Sequence, residues 1–176
     1  VGIRRDQSGV RVAPDFFQIV RDMRREFLMA RGLPSDRPVN VKDALSDLGS
    51  ENRRLLPCMD EESPPGFVEI SYSGPTTAYQ RLMHSGMNGD APNSLRLVKH
   101  RETTITRFKK ILKTCRKGVH LSPEDRARLE IKKTAIAPLS PDHPSHTLTT
   151  LPDDLLHYDE PRVHSVREHA RLQSFP

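Results

Sequence analysis

The chain has 176 residues, 35% of them hydrophobic, with 15 prolines and no tryptophan, which allows one domain with a small core and much loop and excludes a large sheet enzyme. The formal charge is +5, two cysteines are too few for a disulfide framework or a four-cysteine zinc site, and no apolar run approaches membrane-spanning length. A reducing cytoplasm is therefore the expected setting, with neither a membrane nor a metal among the expected partners.

Asp15 is placed to cap a helix running to about Arg31, with Gly32 as its stop; Phe16, Val20, Met23, Phe27 and Ala30 share one face at helical spacing. Asn40 caps a second short helix that turns Val41, Ala44, Leu45 and Leu48 inward and ends at Gly49. Residues 50–66 contain Asp60-Glu61-Glu62 and Pro64-Pro65-Gly66 and read as a loop. Phe67 to Tyr72 alternates enough for a strand, closed by Ser73-Gly74-Pro75. Thr76 to His84 reads as a helix burying Tyr79, Leu82 and Met83, and Gly86 to Asn93 is rich in turn formers.

Charge then becomes uneven. From Ser94 to Lys133 there are 13 Lys/Arg against 4 Asp/Glu, whereas the rest of the chain holds 15 against 19. Thr103 or Thr104 starts a helix whose apolar face is Ile105, Phe108, Ile111, Leu112 and Cys115, and whose outer face is Arg107, Lys109, Lys110, Lys113, Arg116 and Lys117. A concentrated basic surface suits a polyanion, because counterion release from DNA drives binding; a solvated helix face with no partner accounts for the charge equally well. Ser122-Pro123-Glu124-Asp125 is a further helix start, with a cap, a first-turn proline and acids at the positive dipole end. Residues 138–161 hold five prolines and no long periodic stretch. Ser165-Val166-Arg167-Glu168 is a capping box opening a helix to about Ser174. The fold class expected is α+β, small and loop-rich, with short helices and a few irregular strands.

A self-contained active site is hard to find. There is no Gly-rich phosphate loop, no nucleophile elbow and no His-Glu-x-x-His pair. His143 and His146 could share a metal but lack an obvious third ligand; they, with His157, His164 and His169, read as surface histidines. Asp153-Asp154 solvates a turn. Cys58 is followed by three acids after Met59, which disfavours a nucleophilic thiolate and counts against a small enzyme built on it. Cys115 reads as a core thiol.

The end of the chain carries a more specific pattern. Pro144-Ser145-His146-Thr147-Leu148-Thr149-Thr150, Leu156-His157-Tyr158, Glu160-Pro161-Arg162-Val163 and Ser165-Val166-Arg167-Glu168-His169-Ala170-Arg171-Leu172-Gln173-Ser174-Phe175-Pro176 follow one another. Together they resemble the end of the target-recognition domain and the ninth sequence motif of DNA (cytosine-5)-methyltransferases. Val1-Gly2-Ile3-Arg4-Arg5-Asp6 resembles the tail of the eighth motif, and the two matches bracket the chain in the family's order. Thr77-Ala78-Tyr79-Gln80-Arg81-Leu82-Met83 and the basic helix around Arg107-Phe108 are similar to bacterial members.

The resemblance implies that residues 1–6 end a catalytic-domain strand, that 7–164 form the recognition domain, and that 165–176 form a helix packing toward the catalytic domain. Thr147 and Leu148, with Thr149 beside them, match the pair that in the family lies against the DNA backbone near the extruded cytosine. Lys99, Arg101, Arg107 and Lys110 are the basic residues expected to assist. Arg167, Glu168 and Arg171 match ninth-motif polar residues that in the family organise the recognition domain against the catalytic domain, and Arg162 fits the arginine preceding that motif; helix capping and a local ion pair would explain Arg167 and Glu168 as well. The implied partners are double-stranded DNA and the catalytic domain of the same enzyme, located in the cytoplasm with the chromosome.

The family's cofactor loop, Pro-Cys-Gln nucleophile, Glu-Asn-Val acid motif and closing Asn-x-Val motif are not in this sequence. The segment is thus expected to be part of a longer protein, to contribute no catalytic residue, and to bind no S-adenosylmethionine by itself, although the whole enzyme would use it. A duplex must be opened and the base swung out at a cost of a few kcal/mol, so a second jaw that grips DNA has a physical role. The rival reading from another class is a basic protein-interaction module that reads no DNA.

Overall fold

The structure is a computed structural model that describes residues 16–148 and 151–176. The expected Asp15 cap, the Val1–Asp6 segment and Thr149 lie outside the described residues. The chain divides into two compact units, Val1–Arg37 and Pro38–Pro176. The fold is α+β, with short helices, two small pairs of strands and long connections.

In the first unit, helix α1 spans Phe16–Ala30 and closes at Gly32, whose N–H bonds the Met29 carbonyl while Leu33 N–H reaches back to Leu28. This double closure satisfies the last carbonyls, as the sequence spacing predicts. The apolar face at Phe16, Val20, Met23 and Phe27 forms but stays exposed.

The second unit begins at α2, Val41–Leu45, where the Asn40 side chain accepts from Asp43 N–H and the Asp43 carboxylate accepts from Asn40 N–H. Val41, Ala44, Leu45 and Leu48 are all buried, as expected. The helix ends at Leu45, before Gly49. Gly49 has another role: a Cβ there would stand 3.0 Å from the Glu160 carboxylate, so the missing side chain makes room for that acid.

The stretch expected to be all loop contains strand β1, Leu55–Pro57, which pairs antiparallel with β2, Val68–Ile70. Three residues ending in proline are too short for a period-two signal, so tertiary pairing decides. Helix α3, Ala78–Met83, is capped by Thr77, and Gln80 completes a reciprocal box. Tyr79 and Met83 are buried, but Leu82 is only half-buried; the fully buried position is Gln80. The Gln80 amide carbonyl accepts from Thr76 and Thr77 N–H, and its NH2 donates to Asp43 O and Ser46 Oγ. Each of its polar ends is satisfied, which removes the cost of burial and fastens α3 to α2.

Helix α4 is Glu102–Thr114, one or two residues earlier than the threonines suggested, and α5 is Pro123–Arg128, with the Ser122 hydroxyl accepting from Asp125 N–H. Phe108 and Ile111 from α4 join Leu121, Leu129, Ile136, Leu156 and Val163 in a core, with Cys115 and Ile131 against it. Fully burying a side chain such as Ile111 contributes about 1.5–3 kcal/mol. Two further short strands, β3 (Ala137–Pro138) and β4 (Leu155–Leu156), pair in parallel across this core. The last helix, α6, is Val166–Leu172 and packs on α2.

Candidate nucleic-acid interface

The periodicity of α4 sets its two faces. Burying Phe108 and Ile111 turns Arg107, Lys109, Lys110 and Lys113 outward, and all four are exposed. Among the described residues none of the four is in an ion pair, nor are Lys99 and Arg101. Arg101 is the exposed N-cap residue of α4, with no side-chain cap bond, and the exposed Lys99 has its ammonium near Gly66. Arg107 and Lys110 line one groove of about 280 Å³ together with Thr103, Thr106, Arg128 and Glu130.

Thr147 and Leu148 belong to a different groove, of about 390 Å³, whose wall includes Asn40, Tyr79, His146 and Gln173. Thr147 is exposed and Leu148 half-buried. The residues expected at a DNA surface therefore fall on separate grooves, with the α4 cations in one and the Thr-Leu pair in the other.

Arg162, Arg167, Glu168 and Arg171 take part in polar and charged networks within the second unit. Arg162 donates to both oxygens of Glu168, at 2.7 and 2.8 Å, and through Nε to Glu160 at 2.6 Å. This is the planar two-bond geometry for which guanidinium is suited. Glu168 also accepts from Ser165 N–H at 2.7 Å, so one carboxylate caps α6 and pairs with Arg162. Glu160 in turn accepts from Ser50 N–H and Oγ.

Arg171 donates to Asp47 and Ala44 O, while Tyr79 Oη donates to the Arg171 carbonyl. Tyr72 Oη donates to Asp47 at 2.8 Å; burial and then the Asp47 carboxylate push the phenol pKa up to about 12. Arg167 holds Asn93 through its carbonyl and side-chain oxygens, and reaches the Pro176 carbonyl at 2.7 Å. Each buried charge thus has a counter-charge or several hydrogen bonds, the condition under which burial is tolerable.

Burial works against the charge on Arg162, but the Glu168 and Glu160 carboxylates outweigh it and raise its pKa. Burial likewise opposes the charge on Glu168, and Arg162 outweighs it, holding the carboxyl below its ordinary range. Glu160 is lowered by the same contest.

His157 and His164 correct the surface reading of the histidines: they are 1% and 3% exposed. His157 Nδ1 accepts from the N–H groups of Asp159 and Glu160, at 3.1 and 2.9 Å, which puts the ring proton on Nε2, 3.8 Å from Glu168. Its ring stacks on Tyr158 and lies 5.7 Å from that of His164. Desolvation lowers both pKa values, that of His164 to about 3 despite Glu168 nearby. His143 is exposed, and His146 and His169 are half-buried. Cys58 is half-buried in the chain that follows β1, its N–H bonding Phe67 O.

Sequence reasoning missed Asp47, Glu160 and Arg128. Asp47 pairs with Arg171, 124 positions away, which no periodic signal links, whereas Arg128 pairs with Asp125 at helical i,i+3 spacing and Glu160 with Arg162 close by in the chain. Among the described residues, no group of three or more His, Cys, Asp or Glu could hold a metal, and no helix is long and apolar enough to cross a membrane. No protein-family model, curated protein or solved structure matches this chain.

Proposed function

We propose that this chain is a module that grips duplex DNA and, more particularly, the target-recognition part of a DNA (cytosine-5)-methyltransferase. The observation that carries the first step is the outer face of α4. Four exposed cations without acidic partners stand on a helix whose opposite face is locked into the core. The backbone positions of these cations are fixed in advance, and on meeting phosphates they release condensed counterions, the main source of non-specific affinity for DNA. The second step is supported by the Arg-Glu-x-Ala-Arg-x-Gln-x-Phe-Pro string of 167–176, by its order relative to Val1–Asp6, and by the open groove at Thr147 and Leu148.

On this reading the segment supplies no nucleophile and binds no S-adenosylmethionine; both belong to the catalytic domain of the same enzyme. The segment's part in the reaction is to position the duplex while a base is extruded. Fluorescence anisotropy with a labelled duplex tests the first step: affinity should fall steeply between low and high salt. Salt-insensitive association, or capture of a protein partner with no DNA binding, would favour the interaction-module reading. Methyl transfer to cytosine C5 by a longer polypeptide containing this segment tests the second step, and transfer to another atom or none at all would refute it.

A further inference from the structure

The groove between α4 and the end of α5 has a lining chemistry that the general basic charge does not explain. Thr103, Thr106, Arg107 and Lys110 come from one face of α4, and Arg128, Leu129 and Glu130 come from the opposite wall. From Thr103 to Lys110 is about 10 Å along a helix axis. Neither threonine hydroxyl has a hydrogen-bond partner among the described residues, so both are free to donate outward, beside an unpaired guanidinium and an unpaired ammonium. Arg128 is held differently. Its Nη2 donates to Asp125 at 2.6 Å and to Thr114 Oγ1 at 3.1 Å at the exposed rim of the groove. Glu130, in a left-handed backbone conformation (φ 54°), is the one acid lining the groove.

A cluster of guanidinium, ammonium and hydroxyl donors suits a phosphodiester chain, since phosphate oxygens only accept. The same arginine and lysine could also meet guanine O6 and N7, an outcome that duplexes of unrelated sequence distinguish.

We propose that this groove is a phosphate clamp that holds the backbone of one DNA strand, with Arg107 and Lys110 neutralising phosphates, Thr103 and Thr106 donating to their oxygens, and Glu130 limiting affinity. This rests on the DNA-binding reading above and goes beyond it by assigning the groove to the backbone and not to the bases. The clamp positions the duplex without reading sequence, so it leaves specificity to other surfaces such as the Thr147 groove.

The test is the double variant Arg107→Gln, Lys110→Gln and the single variant Glu130→Gln in the whole chain, titrated with two duplexes of unrelated sequence across a salt series. All three side chains lie at the surface, so the fold should be kept, which circular dichroism checks. The double variant is expected to weaken binding to both duplexes alike, tenfold or more at low salt. The slope of log affinity against log salt should fall by about 2, roughly one for each phosphate that is no longer neutralised. Glu130→Gln is expected to tighten both. Unchanged affinity and slope in the double variant would overturn the clamp while leaving DNA binding intact. Weakening confined to one duplex would also overturn it, in favour of base recognition. Absence of duplex binding by the unaltered chain at every salt concentration would instead overturn the DNA-binding reading and the clamp with it.

Discussion

Arg171 Nη1 lies 3.1 Å from Asp47 Oδ2, joining positions 124 apart in the chain with both side chains sealed from solvent. Asp47→Asn keeps the shape and removes the counter-charge, which leaves a buried guanidinium without compensation. The expected cost is about 3–5 kcal/mol, read as a lower midpoint in urea unfolding. Tyr72→Phe removes only the phenol's bond to Asp47 and should cost about 1 kcal/mol. Equal effects from the two variants would mean that the ion pair contributes no more than an ordinary hydrogen bond.

Arg162 and Glu168 should prove strongly coupled. Glu168→Gln and Arg162→Met are each expected to destabilise by about 3–5 kcal/mol. The double variant should lose less than the sum, with a coupling energy of about 1–3 kcal/mol. Strict additivity in a double-mutant cycle would show that the paired geometry carries no interaction energy.

Acid should unfold the second unit. His157 and His164 have folded pKa values below the ordinary 6.5, His164 at about 3, so below pH 6.5 the unfolded chain binds more protons and stability falls with falling pH. His164 alone gives a slope of roughly 1 kcal/mol per pH unit near pH 5.5, and His157 adds to it in the same direction. Glu160 and Glu168 are depressed below the ordinary 4.5; their contribution is complete above that value and is lost as pH falls through the folded values. Both effects run the same way. Thermal melts at pH 7.5, 6.5, 5.5 and 4.5 should show Tm dropping at each step, and a flat profile between 6.5 and 5 would place the imidazoles in water.

Gly118 sits at φ 78°, and a Cβ there would lie 2.9 Å from Ser140 Cβ. Gly118→Ala should therefore cost about 2 kcal/mol or more, part conformational and part steric. Adding Ser140→Gly should recover only the steric part. Wild-type stability in Gly118→Ala would show that the two loops do not approach this closely.

Local signals in the chain were legible where the structure depends on neighbours a few residues away. The Asn40 cap and the Ser165–Glu168 capping box need only four consecutive residues, and both form as the sequence predicts. The basic and apolar faces of α4 follow from period 3.6. Strand β1 was not legible, because Leu55–Pro57 acquires its conformation from pairing with β2. Strands β3 and β4 are two residues each and exist only through one another. The histidines misled for a related reason. A lone imidazole carries no burial signal, and His157 is enclosed because the Asp159 and Glu160 N–H groups fold back onto its ring. The Thr147 groove likewise depends on α2 and α6 meeting around a loop whose own composition says only that it turns.

Helix α6 spans seven residues, yet its arginines and glutamate hold Ala44, Asp47, Asn93 and Arg162. Asp47 leaves the ribosome long before Arg171 does. At about 5–20 residues per second, the 124 positions between them take roughly 6–25 s to make. During that interval the Asp47 carboxylate lacks its counter-charge, and α2 can close against α3 but not against α6. Maturation of the second unit is thus timed by the arrival of its last arginine, and a ribosome stalled shortly before Arg167 would display a body protected only in part from protease.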